Sequence, residues 1–155
     1  MILIADSSAL ITLSIVDKLD ILERLFGEVY IPKAVYEEII KKNKQEANRL
    51  KDFCQGKIKD ISTRINFNIS LGKGESEAII LYKEIEADFL LCDDKKAKKF
   101  AKSFDINVIG SFGILLRAKE KGLISEIAPL LDTIKNSDIY LSDSVSQLIL
   151  KMAGE

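Results

Sequence analysis

The stretch ILIADSS at residues 2–8 decides the fold, because a run of apolar residues ends abruptly on an acid. The stretch FLLCDD at residues 89–94 has the same form and ends on two acids. Apolar strands without polar alternation are typical of parallel sheets, whose strands are buried on both faces. Functional sites in open parallel sheets gather at the carboxyl ends of the strands. The two stretches therefore predict an acidic site at one edge of a parallel sheet.

The rest of the chain alternates predicted strands with predicted helices. The expected strands are residues 2–5, 29–31, 58–61, 89–92 and 107–110. The expected helices are residues 7–16, 18–26, 32–42, 46–54, 75–86, 95–104, 112–121, 126–135 and 143–152. This alternation indicates an α/β protein with a mostly parallel sheet that is covered by helices on both faces. No linker or composition shift marks a boundary, so we expect a single domain over residues 1–155.

The composition limits the available chemistry. The chain has 23 basic and 24 acidic side chains and no histidine. A net charge near zero gives no global attraction to a polyanion, so any contact with nucleic acid must use a local patch. Without an imidazole, catalysis must depend on carboxylates, lysine, hydroxyl groups or a metal.

The cysteines and the apolar segments indicate the cellular setting. Cys54 and Cys92 show no disulfide-framework spacing, which favours a reduced, cytoplasmic location. The apolar start lacks a basic leader and is interrupted by Asp6, so it is not interpreted as a signal peptide. No segment is long and apolar enough to span a bilayer, and we expect no membrane association.

Two further acids lie beside the predicted buried faces of helices. In the helix that follows Pro32, Glu38 borders an apolar face formed by Val35 and Ile39. Glu37 is expected to point toward solvent.

The helix after Gly74 gives the same signal. Glu75 stands in the first turn of the apolar face, where the positive end of the helix favours its charged form. Glu77 is expected to lie off to the side of that face. It stays the alternative to Glu75 as the acid that this helix contributes to the site.

Each acid taken singly has a simpler explanation. Asp6 can cap the helix that begins at Ser7, and Asp93 or Asp94 can cap the helix after them. If the acids do cluster, however, two carboxylates about 4 Å apart repel by roughly 4 kcal/mol at an effective dielectric near 20. Some must then be protonated, or a cation must lie among them. Hard oxygen ligands without histidine favour Mg²⁺ or Mn²⁺.

Five motifs follow one another along nearly the whole chain. They are IADSSALI (4–11), VYIPKAVYEE (29–38), GESEAI (74–79), LLCDD (90–94) and VIGSFGILLRAKEKGLI (108–124). In order and spacing they resemble PIN-domain proteins, in the subgroup related to VapC-type toxins. The resemblance implies a three-layer α/β/α sandwich with a Rossmann-like, mostly parallel central sheet.

The resemblance also implies a Mg²⁺- or Mn²⁺-dependent ribonuclease. The acids of the family correspond to Asp6, Glu38, Glu75 and Asp93 in this chain. Asp94 is a fifth candidate metal ligand, and the choice between the two adjacent aspartates stays open. The third acid is commonly aspartate in the family and is glutamate here.

Further implications of the resemblance concern Ser8 and the partners. Ser8 matches a position whose side chain would orient Asp6 or a metal-bound water. The expected partners are an RNA substrate, a protein antitoxin and a second copy of the chain, with a self-interface near the carboxyl terminus.

Basic residues follow the acidic pair directly. They are Lys95, Lys96, Lys98, Lys99 and Lys102. Four of these share a helix face, which is either a stripe that contacts phosphates or an ordinary solvated surface. The segment GKG at residues 72–74 lacks the spacing of a phosphate loop and is interpreted as part of a turn over residues 70–74.

Two other functions compete with the nuclease hypothesis. One is a non-catalytic PIN-like module that binds RNA or protein. The other is a phosphoacceptor domain of receiver type, which normally has its acidic pair after the first strand and a lysine after the last. Here the acid pair comes late and the last strand leads to Ser111, the expected cap of the helix that follows, so this alternative is disfavoured.

Overall fold

A five-stranded sheet forms the centre of the structure, a computed structural model that describes residues 1–42, 46–65, 67 and 71–155. The strands are β1 (Ile2–Ala5), β2 (Glu28–Pro32), β3 (Ile58–Lys59), β4 (Phe89–Leu91) and β5 (Val108–Ile109). The helices are α1 (Ser7–Ile15), α2 (Asp20–Phe26), α3 (Lys33–Lys42), α4 (Ala47–Cys54), α5 (Lys73–Glu84), α6 (Lys95–Ser103), α7 (Ser111–Glu120), α8 (Ala128–Lys135) and α9 (Asp143–Met152).

All strand pairs are parallel, and the strand order is β3-β2-β1-β4-β5. The chain moves outward from β1 through β2 to β3 and then returns to β4 on the other side of β1. The order therefore reverses between β1 and β4, which is the position where open α/β sheets place their ligands. The backbone N–H of Asp6 donates to the carbonyl of Leu91 at 2.9 Å and so joins the ends of these two strands.

The sheet is buried on both faces, as its apolar strands predict. Leu3 and Ala5 of β1 pack into a core with α1, α2, α7 and α8, whereas Ile4 packs into a second core with α5 and α6. The same alternation separates Leu91 from Leu90 in β4. These two cores and the parallel sheet confirm the predicted three-layer α/β/α sandwich.

Every predicted element is present, and no boundary differs by more than two residues from the predicted one. The segment GKG is not a turn. Gly72 is the N-cap of α5, and Lys73 and Gly74 already belong to the helix. Ser70, where the predicted turn began, lies outside the described residues. Ser111 is the first residue of α7 and Gly110 is its N-cap, because the Ser111 hydroxyl bonds an acid instead.

The apolar face of α3 is narrower than its sequence indicates. Val35 and Ile39 are buried, whereas Ile40 is 40% exposed. In the parts of the chain that the structure describes, no helix combines the length and the apolar character needed to cross a membrane.

Candidate active site

Asp6 is the buried centre of an acidic group at the carboxyl edge of the sheet. It follows β1, and only 2% of its surface is exposed. Its Oδ2 lies 3.8 Å from the thiol of Cys92, which donates to it, and its Oδ1 has no hydrogen-bond partner. A buried polar atom without a partner is uncommon and calls for a proton, a water or a bound ligand.

The electrostatic surroundings of Asp6 disfavour its charged form. Burial, followed by the negative charges of Glu75, Glu38 and Asp94, raises the pKa of Asp6 from 3.8 to about 7. The nearby backbone N–H of Ser7 lowers the pKa in part, although it makes no capping hydrogen bond with the side chain. The charges of acids on α3, on α5 and after β4 therefore act on the one buried carboxylate that follows β1.

Glu38 connects three helices. Its Oε2 accepts a hydrogen bond from the Ser7 hydroxyl of α1 at 3.0 Å, and its Oε1 accepts one from the Gly74 backbone N–H of α5 at 3.3 Å. Glu38 is half-buried on α3, in agreement with its predicted position at the border of the apolar face. These contacts hold its carboxylate close to the first turn of α5.

The predicted burial of Glu75 and Glu77 was wrong. Glu77 is 8% exposed and accepts a hydrogen bond from the Ala34 backbone N–H at 3.2 Å, whereas Glu75 is half-buried. Glu77 is drawn inward because it satisfies an otherwise unpaired N–H in the first turn of α3. Glu75, and not Glu77, is among the acids whose charge raises the pKa of Asp6.

The two adjacent aspartates have different partners. Asp93 accepts from the Ser111 backbone N–H and the Ser111 hydroxyl, both at 2.7 Å, and from the Thr12 hydroxyl at 3.5 Å. Asp94 caps α6 by accepting from the Ala97 backbone N–H at 2.8 Å. The capping explanation therefore holds for Asp94, although its charge also raises the pKa of Asp6.

Three glycines make room for three of the acids. A Cβ on Gly74 would lie 2.8 Å from Glu38 Oε1, and a Cβ on Gly72 would collide with the Glu75 carboxylate. A Cβ on Gly110 would lie 3.0 Å from Asp93 Oδ1. The carboxylates thus approach the backbone at points where a larger residue would displace them.

Two buried groups complete the surroundings of Asp6. Burial, followed by the charge of Asp6, raises the pKa of the Cys92 thiol to about 12, so this group stays protonated and donates. The Ser8 hydroxyl is buried and has no hydrogen-bond partner, and the Ser8 carbonyl accepts from Thr12 at 3.1 Å. The predicted role of Ser8 in orienting Asp6 stays a prediction.

The donor set suits a hard divalent cation, because carboxylate and hydroxyl oxygens are the ligands that Mg²⁺ and Mn²⁺ prefer. The orphaned Oδ1 of Asp6 fits such a ligand. Over the described residues, however, no three side chains of the metal-ligating types stand close enough to hold an ion. Glu38 and Asp93 are bonded to protein donors instead. Ion binding would therefore have to replace some of these hydrogen bonds.

The acids of the site follow from the sequence, but the groups that hold them do not. No sequence pattern predicts a role for Ser7 or Thr12, and Ser111 is predicted only as a helix cap. The glycines at 72, 74 and 110 were the available signal, because each stands at the beginning of a helix.

A parallel α/β sandwich with acids at the reversal of strand order defines a class of Rossmann-like proteins with an acidic site. A family described as a PIN domain (DUF3368) matches residues 2–155, and the chain belongs to this family. PIN domains are generally nucleases, typically use divalent metal ions and bind RNA.

A solved structure supports the fold. A PilT N-terminus domain protein from the hyperthermophilic archaeon Sulfolobus solfataricus P2 is similar with a TM-score of 0.56 and 19% sequence identity. The similarity covers 91% of this chain and 100% of that protein. Comparison with curated proteins gave no match.

Proposed function

We propose that this protein is a Mg²⁺- or Mn²⁺-dependent endoribonuclease that hydrolyses RNA phosphodiester bonds. The observation that carries the proposal is the environment of Asp6, a buried carboxylate with a free oxygen and three acidic neighbours. This arrangement raises the free energy of the empty, ionised site, and a divalent cation would relieve that cost. Membership of the PIN-domain family supports the choice of a nuclease over other metal-dependent activities.

The proposed roles follow from the position of each acid. Asp6, Glu38 and Glu75, with Asp93 or Asp94, would hold the ion through their carboxylate oxygens. Bound there, a divalent ion would supply a water of lowered pKa and neutralise charge on the phosphate.

Neighbouring groups would position these ligands. Ser7 keeps the Glu38 carboxylate beside α1, and Ser111 keeps the Asp93 carboxylate at the end of β5. Ser8 stands two residues after Asp6 with an unbonded hydroxyl, and it would orient Asp6 or the attacking water.

The finer biological role is also a proposal. We infer a cytoplasmic toxin of a toxin–antitoxin pair, held in check by a protein antitoxin, from the resemblance to VapC-type proteins. We further propose a homodimer of single-domain subunits, supported by exposed apolar residues on α9. Growth arrest on expression, relieved by the product of a small neighbouring reading frame, would support the toxin role. Unimpaired growth would contradict it.

The activity is tested by RNA cleavage with Mg²⁺ or Mn²⁺ added to protein prepared without metal. Asp6→Asn removes a charged ligand without changing its size, and we expect a loss of roughly 100-fold or more. Asp132→Asn makes the same change at an exposed aspartate of α8 and should leave cleavage intact. An undiminished rate in Asp6→Asn would exclude Asp6 from the reaction.

The same assay separates Glu75 from Glu77. Glu75→Gln should abolish cleavage, because the charge of Glu75 acts on the Asp6 site. Glu77→Gln keeps an acceptor for the Ala34 N–H and should retain activity. The reverse result would assign the third acid to Glu77.

The second candidate function is a non-catalytic PIN-like module that binds RNA or protein. It is favoured by the absence of an assembled three-ligand group over the described residues and by the glutamate in place of the usual aspartate. Thermal unfolding with millimolar Mn²⁺ discriminates between the two. A metal-dependent rise in the melting temperature that Asp6→Asn abolishes supports the nuclease, and no shift together with no cleavage supports the module.

A further inference from the structure

One lysine of α6 differs from the other four. Lys98 is half-buried, whereas the remaining lysines of the helix are exposed, namely Lys95, Lys96, Lys99 and Lys102. The sequence placed Lys98 on the same helix face as three of these. The structure therefore separates Lys98 from the other lysines of that face.

The Lys98 side chain extends back toward the acidic site. Its Nζ lies 3.0 Å from the point that a Cβ on residue 110 would occupy, and Asp93 Oδ1 lies 3.0 Å from the same point. The ammonium and the carboxylate thus both lie close to the bare α-carbon of Gly110. They form no ion pair within 4.0 Å in the part of the chain that the structure describes.

Asp93 does not depend on Lys98 for its hydrogen bonds. Both of its carboxylate oxygens accept from Ser111 at 2.7 Å. The Lys98 ammonium therefore stands at the edge of the acidic group with donor capacity that its neighbouring acid does not consume.

A phosphodiester chain needs such a cation at this position. The acids at the strand ends repel a polyanion, and a net charge of −1 gives no general attraction. A half-buried ammonium beside the carboxylates offers a local contact for a phosphate oxygen, whereas exposed lysines contribute only screened, diffuse attraction.

We propose that Lys98 Nζ binds a non-bridging phosphate oxygen of the RNA strand, at the phosphate that lies beside Asp93. The inference deepens the proposed function and rests on RNA being the substrate. Gly110 is the residue that makes the contact possible, because any side chain there would meet both Asp93 and Lys98.

The test is RNA binding in EDTA, measured by the fluorescence anisotropy of short labelled single strands of several sequences. Lys98→Gln should weaken binding about tenfold, the effect of losing a charge-assisted hydrogen bond. The loss should be similar for every sequence. The slope of log affinity against log salt should fall by about 0.7, as expected for one phosphate contact on a single strand.

Lys99→Gln is the matched control, since it removes the same charge from an exposed neighbour on the same helix. It should change the affinity by less than about twofold. Lys98→Arg keeps the charge and should restore most of the binding.

The outcomes distinguish this inference from the proposed function. Equal losses in Lys98→Gln and Lys99→Gln would overturn the inference, as would a lowered melting temperature in Lys98→Gln with unchanged RNA affinity. Absence of RNA binding by the wild type would also overturn it. A selective loss in Lys98→Gln without any cleavage by the wild type would support the phosphate contact and contradict the nuclease.

Discussion

At the scale of single residues, Asp6 differs from the other acids of the site in its burial. Glu38, Glu75 and Asp93 are half-buried and Asp94 is exposed, whereas Asp6 is almost fully enclosed. An enclosed carboxylate with acidic neighbours resists ionisation, because both burial and like charge disfavour the anion. The protonation state of Asp6 should therefore be measurable through the pH dependence of stability.

Asp6 should make the stability of the metal-free protein depend on pH. The pKa of Asp6 is about 7 in the folded chain against 3.8 as its ordinary value, so the folded state holds the proton more tightly. The stabilisation is complete below about pH 4 and is lost as the pH rises through 7, by roughly 4 kcal/mol at most. Asp6→Asn removes this dependence. The free energy of unfolding of the variant, relative to wild type, should rise between pH 4 and 7 and stay level above pH 7.

Denaturant unfolding in EDTA at several pH values measures this difference. Asp132→Asn is again the control, because it makes the same change at an exposed aspartate of α8. A difference between Asp6→Asn and wild type that does not vary with pH would show that Asp6 ionises normally.

The acids could be predicted from the sequence, but their partners could not. Asp6 and Asp93 stand directly after apolar strands, which is a local pattern. Ser7 and Ser111 act on acids that are distant in the chain, with separations of 31 and 18 residues. Contacts of that kind depend on the packing of the folded chain, which periodicity does not encode.

At the scale of elements, α3 and α5 are joined by a reciprocal pair of hydrogen bonds. Glu77 of α5 accepts from Ala34 in the first turn of α3, and Glu38 of α3 accepts from Gly74 in the first turn of α5. Each helix thus satisfies an unpaired N–H of the other, and each acid gains from the positive end of the facing helix. The pair runs antiparallel, and it fixes Glu38 at the edge of the site.

Gly74→Ala should separate stability from function in this helix pair. Alanine is better than glycine in a helix by about 1 kcal/mol, but its Cβ would lie 2.8 Å from Glu38 Oε1 and 3.0 Å from the carboxyl carbon. Glu38 must therefore shift, while the helix itself gains propensity. We expect a free energy of unfolding within about 1 kcal/mol of wild type, together with a reduced Mn²⁺-dependent rise in melting temperature and slower RNA cleavage.

Ser76→Ala changes a half-buried residue two positions along the same helix and serves as the control. Its cleavage and metal response should match those of wild type. Full activity in Gly74→Ala would mean that the position of the Glu38 carboxylate does not matter for the reaction.

The strands and helices follow from local sequence. The segment GKG at residues 72–74 is the exception, because its structure depends on a contact with another helix. Periodicity and caps located every strand and helix within two residues. The segment GKG was misinterpreted as a turn because glycine usually interrupts a helix. In the folded chain, Gly74 lies inside α5 because only a residue without a side chain leaves room for Glu38.

At the scale of the whole molecule, the strand order brings the acids together. β1 lies at the centre, β2 lies on one side and β4 on the other, so the residues after β1 and β4 share one edge. The sequence indicated a parallel sheet but not its order, because buried apolar strands carry no mark of their neighbours. The position of α9 on α7, far along the chain from the central strand, is likewise a result of packing.

The outer face of α9 provides the test of the proposed homodimer. Val145, Leu148 and Met152 lie at helical spacing and are 42%, 56% and 65% exposed, while Ser146 and Ile149 on the adjoining side of the helix are buried. A second copy of this stripe would remove these apolar surfaces from water, and a specific interface needs about 800 Å² from each partner. Tyr140 is 89% exposed just before the helix and would extend the contact.

Leu148→Glu should convert the dimer to a monomer, because the change places a charge at the centre of the apolar stripe and the charge would lose its water on association. Gln147→Glu adds the same charge at the neighbouring exposed position and should leave the dimer intact. Light scattering after size-exclusion chromatography measures the mass of each variant over a range of concentrations. A wild-type protein that remains monomeric at high concentration would refute the dimer. A Leu148→Glu variant that remains dimeric would place the interface away from α9. A buried, unpaired carboxylate costs several kcal/mol, so an interface centred on α9 would not persist with it.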